Sequence, residues 1–248
     1  MDLQEFFEQN PKVAIAFSGG VDSAYLLFAA KQYAKQVRAY YVSSEFQPAF
    51  ELKDARRMAQ DVGAEMRILR LSALAIPGVS ENPADRCYHC KQGIFGAIIQ
   101  AAREDGFEVL LDGTNASDDA GDRPGMRALQ ELSVRSPLRE CGLTKDRIRA
   151  LSKDAGLFTW NKPAYACLAT RIPTGEPLTK EKLSATEAAE EFLFSLGFQD
   201  FRVRSREGRA LIQLPEAQWE LLFQHREEIL IELRKYYLAV SLDLEVRG

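Results

Sequence analysis

Short, continuous apolar runs alternate with stretches of helical periodicity through the first two thirds of the chain. Residues 12–17 read as a buried strand, and residues 24–36, rich in good helix formers, as the helix after it. The rhythm continues with a strand over 37–43, then a helix over 49–62 that places Phe50, Leu52, Ala55, Met58, Ala59 and Val62 on one side and stops at Gly63. A third strand spans 65–71. Residues 72–85, with Pro77, Gly78 and Pro83, read as a loop over the site. A helix over 90–104 and a strand over 107–112 follow, then a segment over 121–125 expected to be mobile, a fifth strand over 133–138, and a helix capped by Thr144 that ends at Gly156. Strands and helices in this alternation predict an α/β fold, a doubly wound parallel five-stranded sheet with ligands at the carboxyl ends of its strands.

The pattern changes after Gly156. Residues 159–177 carry Pro163, Pro173, Gly175 and Pro177 and read as a loop, yet they also hold Trp160, Tyr165, Cys167 and Arg171. From Leu178 the order becomes helix (179–196, stopped by Gly197), strand (200–206), a turn at Glu207-Gly208, strand (209–214), helix (215–236) and strand (238–246). The predicted organisation is a nucleotide-binding domain over 1–158, an active-site loop and linker over 159–177, and a small C-terminal α+β domain over 178–248.

Composition narrows the function classes. The 248 residues carry 32 Lys and Arg against 36 acids, a net charge of −4, so no global field draws nucleic acid or an anionic membrane, although local positive groups still suit a small anionic substrate. No apolar run approaches the roughly 20 residues of a membrane span, and the opening Met1-Asp2-Leu3-Gln4-Glu5 has acids where a secretory signal has Lys or Arg; a cytoplasmic protein is expected. In that compartment Cys87, Cys90, Cys141 and Cys167 are expected as thiolates or metal ligands rather than disulfides.

The chemistry starts at Ser18-Gly19-Gly20-Val21-Asp22-Ser23, where a strand turns into a helix. Two glycines let the backbone approach a ligand, and the N–H groups that open the helix face any anion above them. Ser18 and Ser23 add hydroxyls. The stretch lacks the Gly-Lys-Ser/Thr ending of the usual nucleoside-triphosphate loop and the spacing of dinucleotide glycines. It resembles the SGGxDS loop of the ATP pyrophosphatase (PP-loop) superfamily, which cleaves ATP between its α and β phosphates. Ser43, Gly113 and Thr114, at the carboxyl ends of strands, complete the expected ATP contacts. In that superfamily the helix after the fifth strand brings a base to the phosphates, a place that Lys145 or Arg149 can fill, with Lys145 assigned to ATP.

Cys87-Tyr88-His89-Cys90 aims two thiols from one turn at a metal, a cluster or a redox partner; zinc on Cys87, Cys90 and His89 is a weaker alternative because adjacent residues rarely face one tetrahedral site. Together with Pro163-Ala164-Tyr165-Ala166-Cys167-Leu168-Ala169-Thr170-Arg171-Ile172-Pro173-Thr174-Gly175, the stretch Asp85-Arg86-Cys87-Tyr88-His89-Cys90-Lys91 resembles the LarE family, ATP-dependent sulfur transferases of nickel-pincer nucleotide cofactor biosynthesis. The resemblance runs from the Ser18 loop to the end of the chain. It implies ATP and magnesium as cofactors, a small pyridinium-3,5-dicarboxylate mononucleotide as substrate, and a homo-oligomer. One substrate carboxylate attacks the α phosphorus, pyrophosphate leaves, and sulfur delivered at Cys167 displaces AMP to leave a thiocarboxylate. Two sulfur sources occur in the family: the sulfur of the loop cysteine itself, sacrificed, or a [4Fe-4S] cluster on three cysteines, one iron of which stays open for an extra sulfide. With Cys87, Cys90 and Cys167 all present, the cluster is the expectation.

Arg202, Arg204 and Arg206 alternate along one strand and so share a face. Arg202 and Arg204 are assigned to the substrate's phosphate or to an anion at a subunit interface, with Arg171 and Glu190 also expected near substrate or anion. Thiolation of a tRNA base by the same adenylate logic, disfavoured by the charge balance, and a nucleotide or iron–sulfur sensor without turnover stand as alternative functions.

Overall fold

The first apolar run forms β1 (Lys12–Ala16) in the interior of a parallel sheet. The structure, a computed structural model, describes residues 1–118 and 124–245. Two units divide the chain: Met1–Val79 with Asp85–Tyr165, and Ser80–Ala84 with Ala166–Gly248.

In the first unit β1 is flanked by β2 (Gln36–Ser43), β3 (Glu65–Arg70) and β4 (Val109–Leu111), in the order β3-β2-β1-β4, all parallel. Val13 and Ile15 pack on one face against α1 (Leu3–Gln9), α2 (Val21–Tyr33), α3 (Ala49–Asp61) and α7 (Lys145–Asp154). Ala14, one residue out of phase, packs on the other with Ile98, Ala101 and Ala102 of α4 (Arg86–Glu104). Both faces are therefore covered, as a doubly wound sheet requires, which is why its strands read as continuous apolar runs. Two short helices, α5 (Pro124–Glu131) and α6 (Pro137–Glu140), lie between β4 and α7.

In this unit the sheet and the start of α4 depart from the sequence reading. The sheet has four strands, not five: the expected strand over 133–138 shrinks to one bridge, where Arg135 N donates to Leu110 O at 3.0 Å and Asp112 N to Arg135 O at 2.9 Å. Pro137 has no N–H to extend the ladder and instead opens α6. Helix α4 begins at Arg86, ahead of the expected start at Cys90, so both Cys87 and Cys90 lie at its opening. Of the segment expected to be mobile, residues 121–123 lie outside the described residues, while Pro124 and Gly125 belong to α5.

A polar network fastens the amino ends of β2 and β3 to the end of α4. The Tyr40 hydroxyl donates to Asp105 at 2.7 Å, with Arg38 and Arg67 3.0 and 3.2 Å from the same carboxylate. The Tyr40 hydrogen bond, backed by the two guanidiniums, holds the Asp105 carboxyl down at about 2. A carboxylate depressed on folding adds stability above its unfolded pKa of about 4, and that contribution disappears as pH falls through the folded value. Asp105→Asn should lower the thermal midpoint at neutral pH, and the gap to wild type should close in acid. A gap that does not change with pH would refute this role.

The second unit holds a turn at Leu168–Arg171, α8 (Lys180–Ser195), β5 (Arg202–Arg206), β6 (Arg209–Gln213), α9 (Trp219–Gln224), α10 (Arg226–Leu233) and β7 (Ala239–Leu242). β5 and β6 form a hairpin across Glu207 and Gly208, both at positive φ as a two-residue turn demands, and β7 adds parallel to β6. Leu193, Phe198, Phe201, Val203, Ile212, Ile229 and Leu233 make its core. The helix expected over 215–236 is broken at His225, a break that no Gly or Pro announces. Val246 of the last expected strand lies outside the described residues. Among the described residues no helix is long and apolar enough to cross a membrane.

Candidate functional site

The turn after β1 is built for close approach. Gly19 sits at φ 74°, and a Cβ there would fall 3.1 Å from the Cβ of Ala55 on α3, so both backbone angle and space demand glycine. Gly20 caps α2 without a side-chain hydrogen bond, which leaves the opening amides of the helix to an incoming anion. The two serines shape the loop: Ser18 Oγ and Ser23 Oγ are 3.0 Å apart, Ser18 N donates to Ser23 Oγ at 3.3 Å, and Ser23 Oγ reaches Gly20 O at 3.2 Å.

Two further segments, those of Gly113 and Lys145, meet the opening of α2, and β2 ends at the same carboxyl edge of the sheet. β2 ends at Ser43, whose carbonyl accepts from Leu71 N at 3.2 Å. Gly113 passes so near the first turn of α2 that a Cβ there would lie 2.9 Å from Ser23 N. Lys145, the first residue of α7, donates to Asp22 Oδ2 at 2.5 Å, while its backbone N donates to Ser117 Oγ at 3.0 Å. Arg149, the other candidate base, spends its guanidinium on Trp160 O at 2.6 Å and Lys162 O at 2.9 Å. Each base thus has partners inside the protein, Asp22 on α2 for Lys145 and two loop carbonyls for Arg149. Thr114 Oγ1 donates to Asp112, which also accepts from Ser136 Oγ at 2.6 Å.

Gly113→Ala should push the loop after β4 off the helix, because the atoms it meets are backbone. Overpacking of this kind costs about 1–3 kcal/mol of stability, and because the displaced loop borders the opening of α2, ATP affinity measured by calorimetry should fall with it. Unchanged affinity would remove this loop from the nucleotide site.

Asp22 Oδ1 is buried without a hydrogen-bond partner among the described residues. A lone buried carboxylate oxygen suits a cation or an ordered water, so the residues present fit magnesium. On α4, Cys87 is exposed and Cys90 half-buried, and Arg86 Nη2 lies 3.6 Å from Cys87 Sγ. His89 points elsewhere, to Asp85 at 3.3 Å and against Gly78, which leaves the zinc alternative without support. Among the described residues no three His, Cys, Asp or Glu side chains are gathered as a metal site. The thiols of Cys87 and Cys90, at the opening of α4, are soft donors of the kind iron–sulfur ligation takes. Lys91, unassigned from sequence although it follows the second cysteine, is the added residue here: burial lowers its ammonium pKa, opposed by Asp112, Cys87, Asp118 and Cys90.

In the second unit Cys167 caps the turn Leu168–Arg171. Its carbonyl accepts from Thr170 N at 3.0 Å and Thr170 Oγ1 at 2.8 Å. Arg171, 1 % exposed, holds the turn from beneath: Nη1 donates to Ala166 O at 2.8 Å and Thr170 Oγ1 at 2.9 Å, and Nε and Nη2 grip Glu190 at 2.8 and 3.0 Å. Glu190 Oε1 also accepts from Val203 N at 2.9 Å. Arg204 donates to Thr170 O at 2.7 Å and Gln213 Oε1 at 2.6 Å, and the buried Arg202 to Phe201 O at 2.6 Å. All four residues expected at substrate or anion therefore spend donors or acceptors inside the protein, three of them around the turn that bears Cys167.

A family model for asparagine synthase matches residues 6–119, the stretch that carries the Gly19-Gly20 turn. The pyridinium-3,5-bisthiocarboxylic acid mononucleotide synthase of Lactiplantibacillus plantarum is 35% identical over 83% of this chain and 75% of its own length. This chain belongs to the LarE family. An uncharacterized protein of Synechocystis, slr1717, is 36% identical over 98% of this chain and 92% of its own. A tRNA-specific 2-thiouridylase of Thermotoga petrophila shares 24% over 61% of this chain and 54% of its own. LarE proteins are ATP-using, sulfur-transferring enzymes, and the α/β sheet with its Ser-Gly-Gly turn is their PP-loop fold.

Proposed function

We propose that this chain adenylates the carboxylates of pyridinium-3,5-dicarboxylate mononucleotide and replaces oxygen by sulfur to give thiocarboxylates. The observation that carries the reading is the 35% identity over 83% of the chain to a synthase named for that bisthiocarboxylic product.

In this reading the amides opening α2 bind the phosphates that leave as pyrophosphate, and Lys145 offsets their charge once it turns from Asp22. Asp22 would hold magnesium, which supplies charge neutralisation at the phosphates. A substrate carboxylate oxygen bonds to the α phosphorus as the bond to the bridging oxygen breaks. Sulfur presented at Cys167 then bonds to the activated carbonyl carbon, and AMP leaves with the oxygen. Cys87, Cys90 and Cys167 would ligate a [4Fe-4S] cluster, which supplies an iron without a protein ligand for an extra sulfide; the alternative source is the Cys167 sulfur itself. Arg202 and Arg204 would meet the substrate's phosphate after exchanging present partners. The first unit serves as the ATP domain and the second as the substrate domain, in a cytoplasmic homo-oligomer.

Anaerobically reconstituted protein tests this with ATP and the dicarboxylated nucleotide. Pyrophosphate release that requires that nucleotide, visible iron–sulfur absorbance and an unchanged intact protein mass after turnover are expected. Loss of one hydrogen sulfide from the chain would mean sacrifice of Cys167. Pyrophosphate release provoked by bulk tRNA, and not by the nucleotide, would favour the tRNA reading; none with either would leave a sensor.

A further inference from the structure

Residues 80–84 belong to the same unit as Cys167, although the chain on both sides of them belongs to the other unit. Asn82 fastens this short visit. Its backbone lies at φ 56°, a left-handed conformation that Asn tolerates better than most residues, and it is 1 % exposed. The side-chain amide donates to Pro173 O at 2.7 Å, Glu176 O at 3.1 Å and Ile172 O at 3.4 Å. The Asn82 carbonyl accepts from Gly175 N and the Ser80 carbonyl from Leu178 N, both at 2.8 Å. Asn82 is thus bound on its backbone and side chain to the loop that leaves Arg171, the residue holding the Cys167 turn. It also lies shortly before Cys87 in the chain.

We propose that Asn82 is a positioning residue for sulfur delivery. It fixes the loop after Arg171 and thereby where Cys167 stands, with no part in the adenylation step. The proposal rests on the sulfur-transferase reading above. The chemistry demands an amide: three carbonyl oxygens converge on one side chain, so a carboxylate would be repelled and an alkyl group would leave them unpaired. Glycine keeps the φ angle and removes only the amide, which makes Asn82→Gly the informative variant.

The full chain, reconstituted with iron and sulfide, is assayed with ATP and pyridinium-3,5-dicarboxylate mononucleotide. Asn82→Gly should release pyrophosphate within about twofold of wild type at unchanged KM for ATP, while thiocarboxylate formed per pyrophosphate falls about tenfold or more. Hydrogen exchange at the Gly175 and Leu178 amides should quicken. A merely destabilised protein would lose both activities in proportion, so an unchanged thiocarboxylate-to-pyrophosphate ratio overturns the proposal. Where the glycine variant fails to fold, Asn82→Ser, which keeps one donor, should give an intermediate ratio, and a wild-type ratio there again overturns it. Wild-type protein silent in both assays defeats the sulfur-transferase reading itself, and this role with it.

Discussion

Cys167→Ala should abolish thiocarboxylate formation, to below about one thousandth of wild type, while pyrophosphate release that depends on the dicarboxylated nucleotide persists. The separation follows from where each group sits. The amides opening α2, Asp22 and Lys145 belong to the first unit, and Cys167 to the second. The variant should also fold, because the turn is held through the Cys167 carbonyl, which accepts from Thr170 N and Oγ1, and that acceptor survives loss of the thiol. Cys87→Ala and Cys90→Ala sharpen the result. If three thiolates share a cluster, each variant loses the visible absorbance and multiple turnovers together. If Cys167 sacrifices its own sulfur, both variants still give one thiocarboxylate per chain. Loss of pyrophosphate release in Cys167→Ala would contradict the two-step scheme.

What the sequence revealed follows from the range of the forces involved. The Gly19-Gly20 turn was legible because its demands are local, a positive φ and a helix opening just after a strand. The parallel sheet was legible because strands buried on both faces must be apolar throughout. Helix α1 had a local signature that went unread: Asp2 and Glu5 form a capping box, and Leu3, Phe6 and Phe7 are buried behind it. The fifth strand failed at both ends: Ser133, at φ 56°, and Val134 close the turn after α5, and Pro137 lacks the N–H to continue the ladder. The partners of Lys145 and Arg149 were out of reach, since each is a base on the same helix and only the tertiary fold brings Asp22 to one and residues 160–162 to the other. The Arg171–Glu190 pair is equally invisible in the sequence, where both residues suit a substrate or anion: a charged residue looks alike whether its partner is a ligand or another side chain.

That pair carries the largest expected effect on stability. The Arg171 and Glu190 side chains are 1% and 2% exposed and joined by two hydrogen bonds, so removal of either leaves an uncompensated buried charge. Glu190→Ala should cost about 3–5 kcal/mol, read as a lower midpoint in urea at unchanged slope. Val203 N would lose its acceptor as well, which adds to the loss. The double variant Arg171→Met with Glu190→Leu should recover most of the stability, because apolar groups of similar volume replace buried ion pairs at little cost. Sulfur transfer should not recover with it. Methionine has no donors for Ala166 O and Thr170 Oγ1, so the turn bearing Cys167 would stand on a stable core without its support. Glu190→Ala costing under about 1 kcal/mol would show that this pair is not what holds the turn, and a double variant with full sulfur transfer would show that Cys167 does not need it.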